Sequence, residues 1–108
     1  MSELQNGHRL SRTLERAASA CERHFEAYAA QTRAPLDSEL RQALIFAIAA
    51  LRTAAQQAAP TTDALKLVCL ACHQALAACM RHGFEDDLLK CAASLEPITA
   101  ICEKRLGV

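Results

Sequence analysis

The sequence predicts an all-α protein, an antiparallel up-down-up-down four-helix bundle formed as one domain over residues 1–108. Three observations predict it. Hydrophobic residues make up 52% of the chain but aromatics only 4%, with three Gly, three Pro and no Trp, so helix-forming Ala, Leu, Arg, Glu and Gln dominate. Apolar residues recur in alternating steps of four and three, which keep them on one helical stripe. Breakers then divide the chain into four segments of about 20 residues with short connections.

The first helix is expected over about residues 9–32. Its seam reads Leu10, Leu14, Ala17, Cys21, His24 and Tyr28, with Glu15, Arg16, Glu22, Arg23 and Glu26 mostly on a solvated face. Arg33-Ala34-Pro35 ends it, because proline cannot continue the hydrogen-bond ladder.

The second helix is expected over about 37–58, from a cap at Asp37 or Ser38 to the residues before Pro60. Leu40, Leu44, Ala47, Leu51 and Ala54 form its seam. Ile45, Phe46 and Ile48 fall outside that stripe, and a helix apolar nearly all round has a second use. A homo-oligomer, dimer or tetramer, joined through Ile45, Phe46 and Ile48 is the expectation.

Thr61-Thr62-Asp63 begins the third helix, about 63–82, and Gly83 stops it. Its seam reads Leu65, Cys69, Cys72, Leu76 and Cys79. Glu85-Asp86-Asp87 opens the fourth helix, about 85–106, where acidic groups suit the positive end of the helix dipole. Its seam reads Leu88, Cys91, Leu95, Ile98, Cys102 and Leu106, and Pro97 should kink it near the middle.

Charge narrows the function. Lys+Arg and Asp+Glu balance at 12 each, so neither nucleic acid nor an anionic membrane is an expected partner. The first residues lack the apolar core of a signal peptide, and no stretch reads as long and charge-free enough to span a bilayer. The expected compartment is the cytoplasm, where cysteines stay reduced. Six cysteines there are metal ligands, redox groups or core packing rather than three disulfides.

All six lie on the seams. In the bundle topology, residues of the third and fourth helices whose numbers sum to about 167 are level. Cys79 then faces Cys91 near the Gly83 turn, and Cys69 faces Cys102 lower down, each within about one turn. The first helix runs parallel to the third, which places Cys21 level with Cys72 and His24 one turn above. Cys69 and Cys72 share a helical face, and soft thiolates suit Cu(I), Zn(II) or iron–sulfur clusters. Cu(I) accepts two or three thiolates. A structural zinc needs four converging ligands, for which Cys21, Cys69, Cys72 and either Cys102 or His24 are the nearest set. The metal-site candidates are therefore Cys69, Cys72, Cys79, Cys91, Cys21, Cys102 and His24. His73 and Met80 lie at the edge of the stripe. Against this stands packing: free Cys is among the most buried residue types and fills space as a small hydrophobe.

The stretch Cys69-Leu70-Ala71-Cys72, then Cys79, the turn His82-Gly83-Phe84-Glu85-Asp86-Asp87, then Cys91, resembles the cysteine-rich four-helix-bundle copper-storage proteins. The resemblance implies a tetramer of bundles that takes Cu(I) into a thiolate core, with histidines at the open mouth. That family places Cys on all four helices. Here the first helix holds only Cys21 and the second holds none, with Leu40, Leu44, Ala47 and Leu51 in their place. The expectation is a cysteine-depleted member that binds few Cu(I) ions, mainly through Cys69, Cys72, Cys79 and Cys91.

Catalysis is not expected. Small helical peroxidase-like proteins of the carboxymuconolactone decarboxylase superfamily use CxxC with a histidine four residues after the second Cys, and here that residue is Leu76. A redox CxxC also needs an exposed thiol of low pKa, often at a helix N-terminus, whereas Cys69 lies about two turns into its helix. The competing non-metal reading is an interaction bundle whose outer strip on the second helix binds itself or a partner.

Overall fold

In the computed structural model the described residues are 3–32, 38–83 and 85–107. They form four helices: α1 (Glu3–Gln31), α2 (Ser38–Ala55), α3 (Thr62–Arg81) and α4 (Asp86–Leu106). No strand occurs among the described residues, and the fold is all-α. Arg33-Ala34-Pro35 and the Asp37 cap lie outside the described residues. α1 starts six residues before the expected Arg9, and α2 ends at Ala55 rather than Ala58.

Each helix packs on two others: α1 on α2 and α4, and α3 on α2 and α4. The molecule measures 50 × 23 × 18 Å, long in the direction of a 29-residue helix and about two helices across. One hydrophobic cluster draws on all four helices. Leu14, Leu44, Leu51 and Leu95 have no exposed surface, so the leucine seams are the core.

The helix ends follow local chemistry. Thr61 is extended and its hydroxyl accepts a hydrogen bond from the Ala64 amide at 3.1 Å, while its own amide donates to Gln57 Oε1 at 2.8 Å. At the other end of α3 the chain turns through Gly83 at φ +101°, a conformation that favours glycine. α4 ends the same way at Gly107, φ +76°. Between helices, the Ser11 hydroxyl donates to the Gln57 carbonyl at 2.6 Å, tying α1 to the end of α2. Arg52 makes a two-pronged contact with Glu22 at 2.8 and 3.0 Å, and Arg81 pairs with Glu39. The hydrogen bond from Arg52 lowers the Glu22 carboxyl pKa. Both Arg52 and Glu22 are over a third exposed, so water screens the pair and it adds less than about 1 kcal/mol.

Three expectations need correction. Ile48 is buried at 7% exposure, so only Ile45 (50%) and Phe46 (36%) remain of the outer strip of α2. The buried stripe of α3 runs through Leu65, Val68, Ala71, Cys72, Ala75, Ala78 and Cys79. It is rotated from the expected seam, so Cys69 and Leu76 sit half-buried on its flank. Finally, by length and composition α3 does qualify as a membrane span, at a mean hydropathy of 1.3. Its buried side chains serve the helix-packed core, which is what makes core helices pass that test.

α4 runs through Pro97 as one helix. Pro97 and Ala93, whose carbonyl loses its partner to the proline, are both exposed, so water can satisfy that carbonyl. Pro97→Ala restores the ladder bond and should raise stability by about 1–3 kcal/mol, read as a higher urea midpoint. An unchanged midpoint would mean the local backbone is already relaxed around the ring.

Candidate metal centre

All six cysteines are free thiols, five of them buried and Cys69 half-buried. They fall into two groups of three. Each group is held by helices whose core leucines set the rotation of the neighbouring Cys.

The first group is Cys69, Cys72 and Cys102, where α3 faces α4. The three are close enough to feel one another's charge. Burial raises the Cys72 thiol to about 12, and thiolates at Cys102 and Cys69 raise it further within that shift. Burial likewise raises Cys102 to about 11, with Cys69 adding and Arg105 opposing. Cys69 and Cys102, on α3 and α4, are thus near enough to influence each other's charge. Cys69 is also raised, first by burial and then by Glu103.

The second group is Cys21, Cys79 and Cys91. The Cys91 thiol donates to the Cys21 carbonyl oxygen at 3.5 Å. A side-chain hydrogen bond with Cys21, burial, and the charges at Cys21 and Asp87 push the Cys91 pKa well up. Burial raises Cys79 to about 11, with Cys91 adding to it. Cys79 and Cys91 thus meet as expected from the Gly83 turn.

Height along the bundle set Cys21 level with Cys72 without naming the helix it faces. Cys21 joins Cys91, not Cys72. The reason is lateral: α1 packs on α2 and α4, and no Cα of α1 comes within 8 Å of α3 among the described residues. The four-ligand zinc set of Cys21, Cys69, Cys72 and Cys102 or His24 is therefore not gathered at one point. His24 is half-buried and belongs to no three-donor cluster among the described residues.

One cluster was not expected as such. Cys69 Sγ, one His73 ring nitrogen and one Glu103 carboxylate oxygen lie within 4.8 Å of one another. His73 Nε2 stands 2.8 Å from Glu103 Oε1. Cys69 and His73 are four apart on α3 and so share a face, and Glu103 reaches across from α4. The i,i+4 Cys–His pair was legible in the sequence. Glu103 was not, because its partner depends on how α4 is rotated against α3.

Comparison with known protein families, curated proteins and solved structures yields no significant match to this chain.

Proposed function

We propose that this protein binds one or two soft monovalent ions, Cu(I) foremost, through its two interior thiol groups, as an antiparallel up-down-up-down bundle. The mutual charge influence of Cys69, Cys72 and Cys102 carries this reading. Two buried thiols, Cys72 and Cys102, with half-buried Cys69 near enough to influence their charge, match in number the two or three thiolates that Cu(I) accepts. Cys91, with Cys21 on one side and Cys79 near enough to influence its charge, offers a second buried place. The resemblance to copper-storage proteins rests only on the Cys spacing, and no comparison adds to it.

Antiparallel packing is supported by the pairs that meet. Residues of α1 and α2 pair as 11 with 57 and 22 with 52, falling along one helix as they rise along the other. On α3 and α4, Cys79 meets Cys91 and His73 meets Glu103 in the same inverse order.

The chemistry follows from the raised pKa values. At neutral pH the thiols of Cys72, Cys79, Cys91 and Cys102 are protonated, so Cu(I)–S bonds to them displace protons, and uptake releases protons as it fills the site. Low dielectric then strengthens the ion–thiolate attraction and excludes water and oxidant from the bound ion.

The test is an anaerobic titration of the reduced protein with Cu(I) against a chromophoric chelator. Uptake of one to two ions is expected, reduced by about one ion in Cys72→Ala/Cys102→Ala with helicity unchanged. A protein that leaves all Cu(I) on a weak chelator would sink the proposal. The cysteines would then be packing, and the exposed Ile45–Phe46 surface would favour the second reading, an interaction bundle.

A further inference from the structure

We infer that Cys69, His73 and Glu103 form a separate, solvent-accessible site for a borderline divalent cation, Zn(II) foremost, on the outer face of the α3–α4 seam. The inference does not require Cu(I) binding in the interior, although the two sites share Cys69.

Donor type selects the ion. A thiolate, an imidazole and a carboxylate together are a zinc-like set, whereas Mg(II) and Ca(II) take oxygen donors alone. Donor spacing suits it as well. Bonds of about 2.0–2.3 Å in a tetrahedron place ligand atoms roughly 3.3–3.8 Å apart. The three donors lie within 4.8 Å of one another, close to that spacing. His73 and Glu103 are 54% and 40% exposed, which leaves the fourth position to water and lets the ion exchange.

Electrostatics point the same way. Cys69 is the one thiol that is not buried, and a carboxylate stands beside it. Two groups that become anionic disfavour each other in the metal-free protein. A thiol placed only to fill the core has no use for that neighbour. A divalent cation between them turns the repulsion into binding and brings the Cys69 proton off. The site also joins the two metal chemistries, because Cys69 belongs to the interior group with Cys72 and Cys102. The outer divalent ion and an inner Cu(I) held by all three thiols therefore compete for one sulfur.

Co(II) reports this directly, because thiolate ligation gives an intense near-ultraviolet charge-transfer band and tetrahedral ligation gives visible bands. Under anaerobic conditions the full chain should bind one equivalent of Co(II) with both features, and Zn(II) should abolish them. Cys69→Ser should remove the charge-transfer band. His73→Ala at an exposed position and Glu103→Gln at a half-buried one should each weaken Co(II) binding about tenfold or more. Cys72→Ala/Cys102→Ala, which tests the Cu(I) reading, should keep the Co(II) bands. No band at stoichiometric Co(II) would overturn the inference. So would a band that survives both His73→Ala and Glu103→Gln, or one that disappears with the interior thiols while Cys69 remains.

Discussion

Raising the pH from about 8 to about 11 removes roughly 3–6 kcal/mol of folding stability, a large share of the roughly 5–15 kcal/mol of an ordinary domain. The cause is the buried thiols. Cys72 is raised from its ordinary 9.0 to about 12, and Cys79 and Cys102 to about 11. Above pH 9 the unfolded chain loses these protons while the folded protein keeps them. The folded state then binds more protons, so stability falls as pH rises. The contribution is complete below about pH 9 and is lost as pH climbs through 11 and 12. A shift of one pH unit corresponds to about 1.4 kcal/mol. The molecule is only 18 Å across its shortest axis, so solvent screens part of the full value. Allowing for that leaves about 1–2 kcal/mol for each of the three thiols by pH 11. Urea unfolding at a series of pH values measures it. Lysines also titrate in this range, so the informative comparison is Cys72→Ala, whose loss between pH 8 and 11 should be smaller by about 1–2 kcal/mol. Equal losses in the two proteins would show that Cys72 is not the source. Bound Cu(I) should reverse the trend, since it needs the thiolates that high pH supplies.

Leu95→Ala should cost about 3–5 kcal/mol. Leu95 has no exposed surface and lies on α4 between Cys91 and Cys102, one helical turn from the first. Shortening it removes transfer free energy and leaves a cavity that four packed helices cannot fully close. Leu70 makes the contrast. It is as hydrophobic and lies in an equally apolar run, yet it is 52% exposed on α3. Leu70→Ala should change stability by no more than about 0.5 kcal/mol. A shift in the urea midpoint for Leu95→Ala, with almost none for Leu70→Ala, is the expected pair of results. Similar costs at both positions would mean that Leu70 is covered in solution, as by a second copy of the chain.

The two leucines also show what could be read in advance. On α2 and α4 the four-three spacing identified Leu40, Leu44, Leu51, Leu88, Leu95 and Ile98, all of them buried. Spacing succeeds on α4 because large apolar side chains stand out against polar neighbours, so only one stripe can face inward. On α3 it erred by part of a turn. Leu65-Lys66-Leu67-Val68-Cys69-Leu70-Ala71-Cys72 is apolar at almost every position, so several rotations bury similar area, and the neighbours chose between them. The chosen rotation buries Val68 and leaves Cys69 on the flank, beside His73 and Glu103. Ile48 moved the other way, into the core, for the same reason: α2 is apolar on more than one side.

The amino-acid sequence by itself determined the number of helices, their capped ends at Thr61 and Gly83, and the leucine seams. These rest on interactions within one turn or on a periodicity written in the chain. Only the tertiary structure decided which thiols share a place. Cys21 went to Cys91 because α1 lies against α4 and not α3. The Cys69–His73–Glu103 cluster exists because α3 and α4 are rotated to bring those flanks together. Lateral neighbour and rotation are set by burial summed over all four helices, a quantity that no single helix encodes.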